Sequence, residues 1–155
     1  MMKHSLFIVL TFIPVVISYA SSCTKGDNNI ARVNNNKITN YKIKITANSQ
    51  TFTATLFANN SAKAFKEMLP LTLNMIELNS NEKYYDLPNN LPTNSFNLGT
   101  IKNGDLMLYG SKTLVLFYKS FPTSYSYTKL GTVDDVTGLA SALGSGNVSV
   151  RFELE

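Results

Sequence analysis

The hydrophobic positions of this chain recur mostly with period two, and the pattern is strongest in the middle and at the C-terminal end. In GDLMLYGSKTLVLFYKSF, residues 104–121, two apolar runs at 105–109 and 113–118 flank Gly110-Ser111-Lys112. Glycine reaches positive φ without steric cost, so this stretch predicts a hairpin. Leu114, Leu116 and Tyr118 fall on one face of its second strand and Val115 and Phe117 on the other, and neither set suits water. Such a ribbon needs cover on both sides, and the remaining segments are expected to wrap around it.

An earlier hairpin has one wet face. Ile43, Ile45 and Ala47 alternate with Lys42, Lys44 and Thr46; beyond Asn48-Ser49-Gln50, Phe52, Ala54 and Leu56 alternate with Thr51, Thr53 and Thr55. Ala62, Phe65, Met68 and Leu69 then follow helical spacing after Asn59-Asn60-Ser61, which can cap, and Pro70 stops the helix. Lys63, Lys66 and Glu67 form its solvated side. Leu71, Leu73 and Met75 alternate, but Ile76 and Leu78 continue at the opposite parity, so a bulge near Met75 is expected. Residues 82–87, EKYYDL, read as a strand. The following PNNLPTNSFNLG, residues 88–99, has the turn chemistry of a long irregular loop. Residues 124–128 continue as a strand to Val133. Val136, Leu139, Ala140 and Leu143 predict a second short helix, with Asp134 and Asp135 at its N-terminus and Gly144 at its end. In the last strand Val148, Val150, Phe152 and Leu154 alternate with Asn147, Ser149, Arg151 and Glu153.

The chain is therefore expected to be mainly β, with about eight strands and two short helices in a domain at 41–155. A closed or nearly closed β-barrel removes edge strands, and helices can cap its two openings.

The N-terminal residues belong to targeting. Lys3 and His4 lead into SLFIVLTFIPVVISYA and then Ser21-Ser22-Cys23, the pattern of a secretory signal over residues 1–23. Pro14 interrupts a run already short for a lasting transmembrane anchor. Ala20-Ser21-Ser22-Cys23 resembles a bacterial lipoprotein box with Cys23 as the lipid-bearing residue, although Ala20 stands where leucine is commoner; Ser18-Tyr19-Ala20 also fits an ordinary signal-peptidase site. Both readings place the protein outside the cytosol, either as a cell-envelope lipoprotein held at a membrane or as a periplasmic or secreted protein. Residues 24–40, rich in Asn and without aromatic residues, read as a tether.

Composition narrows the chemistry. The formal charge is +4, and without Lys3 the balance is 13 basic to 10 acidic residues, scattered singly, which argues against a nucleic-acid partner. The only histidine is His4 and the only cysteine is Cys23, so the domain lacks a Ser-His-Asp or Cys-His site and the softer metal ligands. No cofactor motif is present: Gly144-Ser145-Gly146 lacks a P-loop lysine and reads as a turn. Asp134 and Asp135 fit a helix start better than a cation site, and Asp86 and Asp105 are not spaced as a catalytic pair. Tyr84, Tyr85, Tyr109, Tyr118, Phe121, Tyr125 and Tyr127 gather around the central hairpin and are the candidate ligand-binding residues, with the loop at 88–99 as the expected lip. Barrel core and strand propensity are the competing explanation for them.

The succession AKAFKEMLPLTLNM, KYYDLP, GDLMLYGSKTLVLFYKSF and GSGNVSVRFE resembles small bacterial proteins of cyclophilin-like fold, over about residues 42–153. The resemblance implies a cyclophilin-like barrel. It does not carry over the proline-isomerase site, because the Phe-His-Arg segment of true cyclophilins is missing and the only arginines are Arg32 and Arg151. The expected function is a non-catalytic binding domain for a peptide, protein or small molecule; a peptidyl-prolyl isomerase-like enzyme is the alternative. A third reading, an accessory to a redox protein, follows from the company that related domains keep with flavodoxin-like ones.

Overall fold

The computed structural model describes residues 39–155. Eleven strands and two helices run in the order β1 (Tyr41–Ala47), β2 (Gln50–Leu56), α1 (Asn60–Glu67), β3 (Leu71–Leu78), β4 (Glu82–Asp86), β5 (Phe96–Asn97), β6 (Thr100–Ile101), β7 (Asp105–Tyr109), β8 (Thr113–Phe117), β9 (Phe121–Pro122), β10 (Ser126–Val133), α2 (Leu139–Leu143) and β11 (Val148–Leu154). Eight of them form a closed antiparallel barrel in the order β2-β1-β11-β3-β4-β8-β7-β10, and β10 returns to pair with β2. The mainly β barrel read from the alternation is the fold of the protein, down to its strand number.

Closure is made at two positions on β10. The pairing with β7 slips between Lys129 and Gly131, so that Leu130 is an extra residue turned into the core. A bulge bends and twists the strand, which is what a sheet needs in order to curl onto its other edge. Next to it, Gly131 faces Leu56 across the seam, where a Cβ would stand 2.5 Å from the Thr55 carbonyl oxygen and 3.2 Å from the Leu56 Cα. Backbone cannot yield as a side chain can. Gly131→Ala is expected to destabilise by about 1–3 kcal/mol, as overpacking does, and the midpoint of urea unfolding measures it. The bulge expected near Met75 is absent: β3 keeps continuous register with β11 and β4, from Phe152↔Leu71 to Leu78↔Glu82. Ile76 and Leu78 simply face outward, each 41% exposed. The inward position between them belongs to Glu77.

Inside, Ile43, Ile45, Leu56, Met75, Leu106, Leu114, Leu116, Val150 and Phe152 are fully or almost fully buried in one core. The helices close opposite ends of it. Asn59 caps α1, its side-chain oxygen accepting from the Ala62 N–H at 2.8 Å, and Phe65 from this helix meets the Phe152 ring edge-on at 5.8 Å. At the other end α2 buries Leu139, Ala142 and Leu143. No acidic residue occupies its first turn, because Asp134 is drawn away by Lys42 at 2.7 Å and Thr55 at 2.6 Å, and Asp135 accepts from the Thr137 N–H. Leu154 departs from the expected core set: at the strand end it is 52% exposed.

The central hairpin is buried on both faces, as its sequence demanded. Leu114, Leu116 and Tyr118 point into the barrel. On the outer side Met107, Val115 and Phe117 join Ile101 and Tyr127 in a second, smaller apolar cluster, against which Tyr84, Leu98 and Phe121 pack. The cover comes from the segments holding β5, β6 and β9, with β6 paired to β9 and β5 to β10.

Candidate functional site

Cover of the outer face stops short of β4, and this leaves a cavity of about 470 Å³. Its floor is the outward face of β4, β8 and the end of β7, with Glu82, Tyr84, Asp86, Tyr109, Thr113 and Val115; Leu78, Asn79 and Asn81 border it on one side, and Phe121, Tyr125 and Tyr127 on the other. Strand alternation explains the choice, since Glu82, Tyr84 and Asp86 are every second residue of β4 and share one face.

The aromatic lining is a connected series. Phe121 meets Phe117 at 5.6 Å between ring centroids, Phe117 meets Tyr127 edge-on at 5.5 Å, Tyr127 meets Tyr109 at 5.6 Å, and Tyr109 meets Tyr125 edge-on at 6.1 Å. Such contacts fix ring orientation beyond what area burial alone does. Tyr127 is buried, whereas Tyr109 and Tyr125 remain 47% and 62% exposed and so present their rings to the opening.

Of the aromatic residues singled out in the sequence, Tyr84, Tyr109, Phe121, Tyr125 and Tyr127 line this cavity. Tyr85 and Tyr118 do not, because they occupy inward positions of β4 and the end of β8 and pack against the main core. No residue of 88–99 lines the cavity. That loop instead closes around the tip of the central hairpin, with the Leu87 and Leu91 N–H groups donating to the Lys112 and Ser111 carbonyls at 2.8 and 2.7 Å. The lip is the segment from Phe121 to Tyr127. Cys23, the leader and most of the tether lie outside the described residues.

Electrostatically the cavity is one-sided. Its charged lining residues are Glu82 and Asp86, and among the described residues neither is in an ion pair. Asp86 accepts from the Thr113 hydroxyl at 2.6 Å. The Glu82 side chain has no hydrogen-bond partner among the described residues; burial, and secondarily the negative charge of Glu77, push its pKa up to about 7. Tyr127 is pushed up to about 12 by burial and then by Glu82. A carboxyl whose folded pKa lies above its unfolded value of 4.5 opposes folding as pH rises through the window from about 4.5 to 7. Glu82→Gln is therefore expected to leave stability unchanged near pH 4 and to raise it at pH 8 by about 1–2 kcal/mol, after discounting for solvent screening; equal unfolding midpoints at pH 8 would contradict it.

Just beneath the groove lies a group that sequence reasoning missed. Lys83, between Glu82 and Tyr84, points into the barrel and is completely buried. Its ammonium is ion-paired to Glu77 and donates to the Gly144 and Gly146 carbonyls at 2.9 and 2.6 Å, while the Tyr118 hydroxyl donates to both Glu77 oxygens at 2.8 and 2.9 Å. Burial pushes Glu77 up, but hydrogen bonds from Lys83 and Tyr118 outweigh it and hold its pKa below the ordinary value. The signal was available: the hairpin turn at Asn79-Ser80-Asn81 sets Glu77 opposite Lys83. This cluster ties the turn before β11 to β3 and β4, with no opening to the groove needed for its role. Among the described residues no three His, Cys, Asp or Glu side chains gather as a metal site.

Comparison with known proteins adds family and fold. The solution structure of the hypothetical protein AF2241 from Archaeoglobus fulgidus superposes with a TM-score of 0.54 at 17% identity, over 78% of this chain and 99% of that one, which is a likeness of fold alone. No curated protein matches the sequence. The sequence profile of the cyclophilin-like family matches residues 45–153, nearly the whole of the barrel, and the chain belongs to that family.

Proposed function

We propose that this protein is an exported, lipid-anchored binding domain, without catalytic activity, that recognises a peptide, a protein or a small ligand in the aromatic groove. The observation that carries the reading is the groove itself. It is preformed, walled by Tyr84, Tyr109, Tyr125 and Tyr127, and holds the Glu82 carboxyl, which no side chain among the described residues engages. Apolar walls with a few unengaged polar groups are what ligand pockets have in common. Export and anchoring are supported by the leader and by Cys23, the one cysteine of the chain.

Family membership alone does not decide between binding and catalysis, since one fold hosts many activities. Arg151, the sole arginine of the described residues, stands on β11 outside the groove. The test is a photo-crosslinking amino acid placed at Tyr125 in cells. A specific adduct there, and none from the same group at Arg151, is expected; no adduct, together with proline isomerisation far faster than the uncatalysed tens to hundreds of seconds, would replace this reading with the isomerase one. For the anchor, Cys23→Ser is expected to abolish palmitate labelling and membrane sedimentation, since each buried methylene of an acyl chain contributes about 0.8 kcal/mol to membrane binding. A soluble wild-type protein beginning at Ser21 would decide for ordinary signal cleavage.

A further inference from the structure

The charge of the groove narrows what it can hold. The chain as a whole is basic, at +4, yet not one Lys or Arg lines this cavity, and its two charged residues are both acids. The Glu82 side chain lacks any hydrogen-bond or ion-pair partner among the described residues, so its carboxyl stands as a free acceptor at one end of the groove, with Asp86 at the other. The walls are tyrosine rings, whose faces are electron-rich and attract cations. Leu78, 41% exposed at the border beside Glu82, supplies apolar surface for an aliphatic stem. Asp86 lies four residues along the same strand face, roughly 13 Å from Glu82 at the rise of a β-strand, with Tyr84 midway. Acceptors, π faces and an apolar border arranged along that length match an extended chain carrying a positive side chain, not a compact anion or a neutral sugar.

We propose that the groove takes a basic peptide segment, with the ammonium or guanidinium group of a lysine or arginine side chain held against Glu82 beside the Tyr127 ring, and the rest of the segment running along β4 past Tyr84 toward Asp86, Tyr109 and Tyr125. This rests on the binding reading above and adds the chemistry of the ligand. The ionisable groups around Glu82 are Glu77 on β3, Tyr118 at the end of β8 and Tyr127 on β10, with Asp86 farther along its own strand, while Lys83 is turned to the opposite face and held by Glu77. Free Glu82 is about half protonated near pH 7, and a bound cation needs it ionised. Apparent affinity scales with the competent fraction, so binding should tighten about tenfold from pH 6 to pH 8.

Three blocked pentapeptides of one sequence, Ala-Leu-Xaa-Leu-Ala with lysine, norleucine or glutamate at the centre, test this on the full-length protein, with tyrosine ring NMR signals as the site readout and n-butylammonium as a free-cation arm. The lysine peptide should shift the Tyr109 and Tyr125 signals and bind at least tenfold tighter than the norleucine peptide. It should also bind more tightly than n-butylammonium, lose about tenfold in Glu82→Gln and Tyr125→Ala, and bind unchanged in Arg151→Ala. Norleucine or glutamate binding as well as lysine, n-butylammonium binding as well as the lysine peptide, or undiminished lysine binding by Glu82→Gln, would overturn the proposal and leave groove binding intact. If no probe of any charge moves the groove signals, both the proposal and the binding reading fall.

Discussion

Replacing Glu77 by alanine is expected to cost about 3–5 kcal/mol of folding stability, because it strands a charged Lys83 inside the barrel. Lys83 has no solvent exposure, and among the described residues Glu77 is its sole counter-ion. The two glycine carbonyls that remain solvate the ammonium but do not neutralise it, so the loss reflects an uncompensated charge more than a broken bond. The double replacement Glu77→Leu with Lys83→Met separates these ideas. It removes both charges at similar volume and should recover most of the loss, since a buried ion pair contributes little net stability over apolar side chains. Urea unfolding of the singles and the double, read as a cycle, gives the coupling; a double variant as unstable as Glu77→Ala would mean that the network's geometry, including Tyr118, is what matters. The pH sense follows from the depressed Glu77 pKa. The stabilisation from this carboxylate is fully present above its unfolded value of 4.5 and is lost as pH falls below that value through its folded pKa. Acid unfolding should therefore begin earlier in wild type than in the doubly apolar variant.

Phe152→Ala is expected to cost a similar amount, about 3–5 kcal/mol, through the cavity it leaves. The ring is completely buried between β1 and β3, opposite Ile45 on one side and Leu71 on the other, and it carries the edge-on contact to Phe65 of α1. Removing it loosens the cap as well as the core. The neighbouring Arg151→Ala should change stability by less than about 1 kcal/mol, because Arg151 faces solvent with only an exposed partner, Glu153, at 3.0 Å. Unfolding midpoints of the two variants measured side by side would show reversed magnitudes if the strand were one residue out of register.

Much of the barrel was legible because alternation is a local property. Ile43, Ile45, Phe52, Ala54, Val150 and Phe152 each sit two residues from another core position, and a half-buried strand needs nothing more to declare its inner face. The two apolar faces of residues 113–118 likewise announced that something must cover the outside of the barrel. Asn59, Pro70 and the turns around Gly110 and Asn48 are equally local, since caps and turns are decided within a few bonds. The same alternation misled at Ile76 and Leu78. Apolar residues at the wrong parity mean either a bulge or an exposed apolar border, and nothing in β3 itself distinguishes them; pairing with both β11 and β4 chose the border.

What the amino-acid order determined alone is therefore the eight barrel strands, the two helices, a closed or nearly closed barrel, the absence of histidine and cysteine from residues 41–155, and the aromatic inventory; the short strands β5, β6 and β9, the first of them inside the stretch read as an irregular loop, came only with the pairing that holds them. What only the tertiary structure decided is which members of that inventory meet. Tyr84 and Tyr85 are adjacent in sequence, yet one lines the groove and the other packs in the core, and Tyr109, Tyr125 and Tyr127 reach a common wall only because β7 and β10 are neighbours. The site of closure at Leu130 and Gly131, the burial of Lys83 and the lack of a side-chain partner for Glu82 among the described residues are of the same kind. Each depends on contacts between residues far apart in the chain, whose register is set by closure of the whole sheet and by no property of the segment itself.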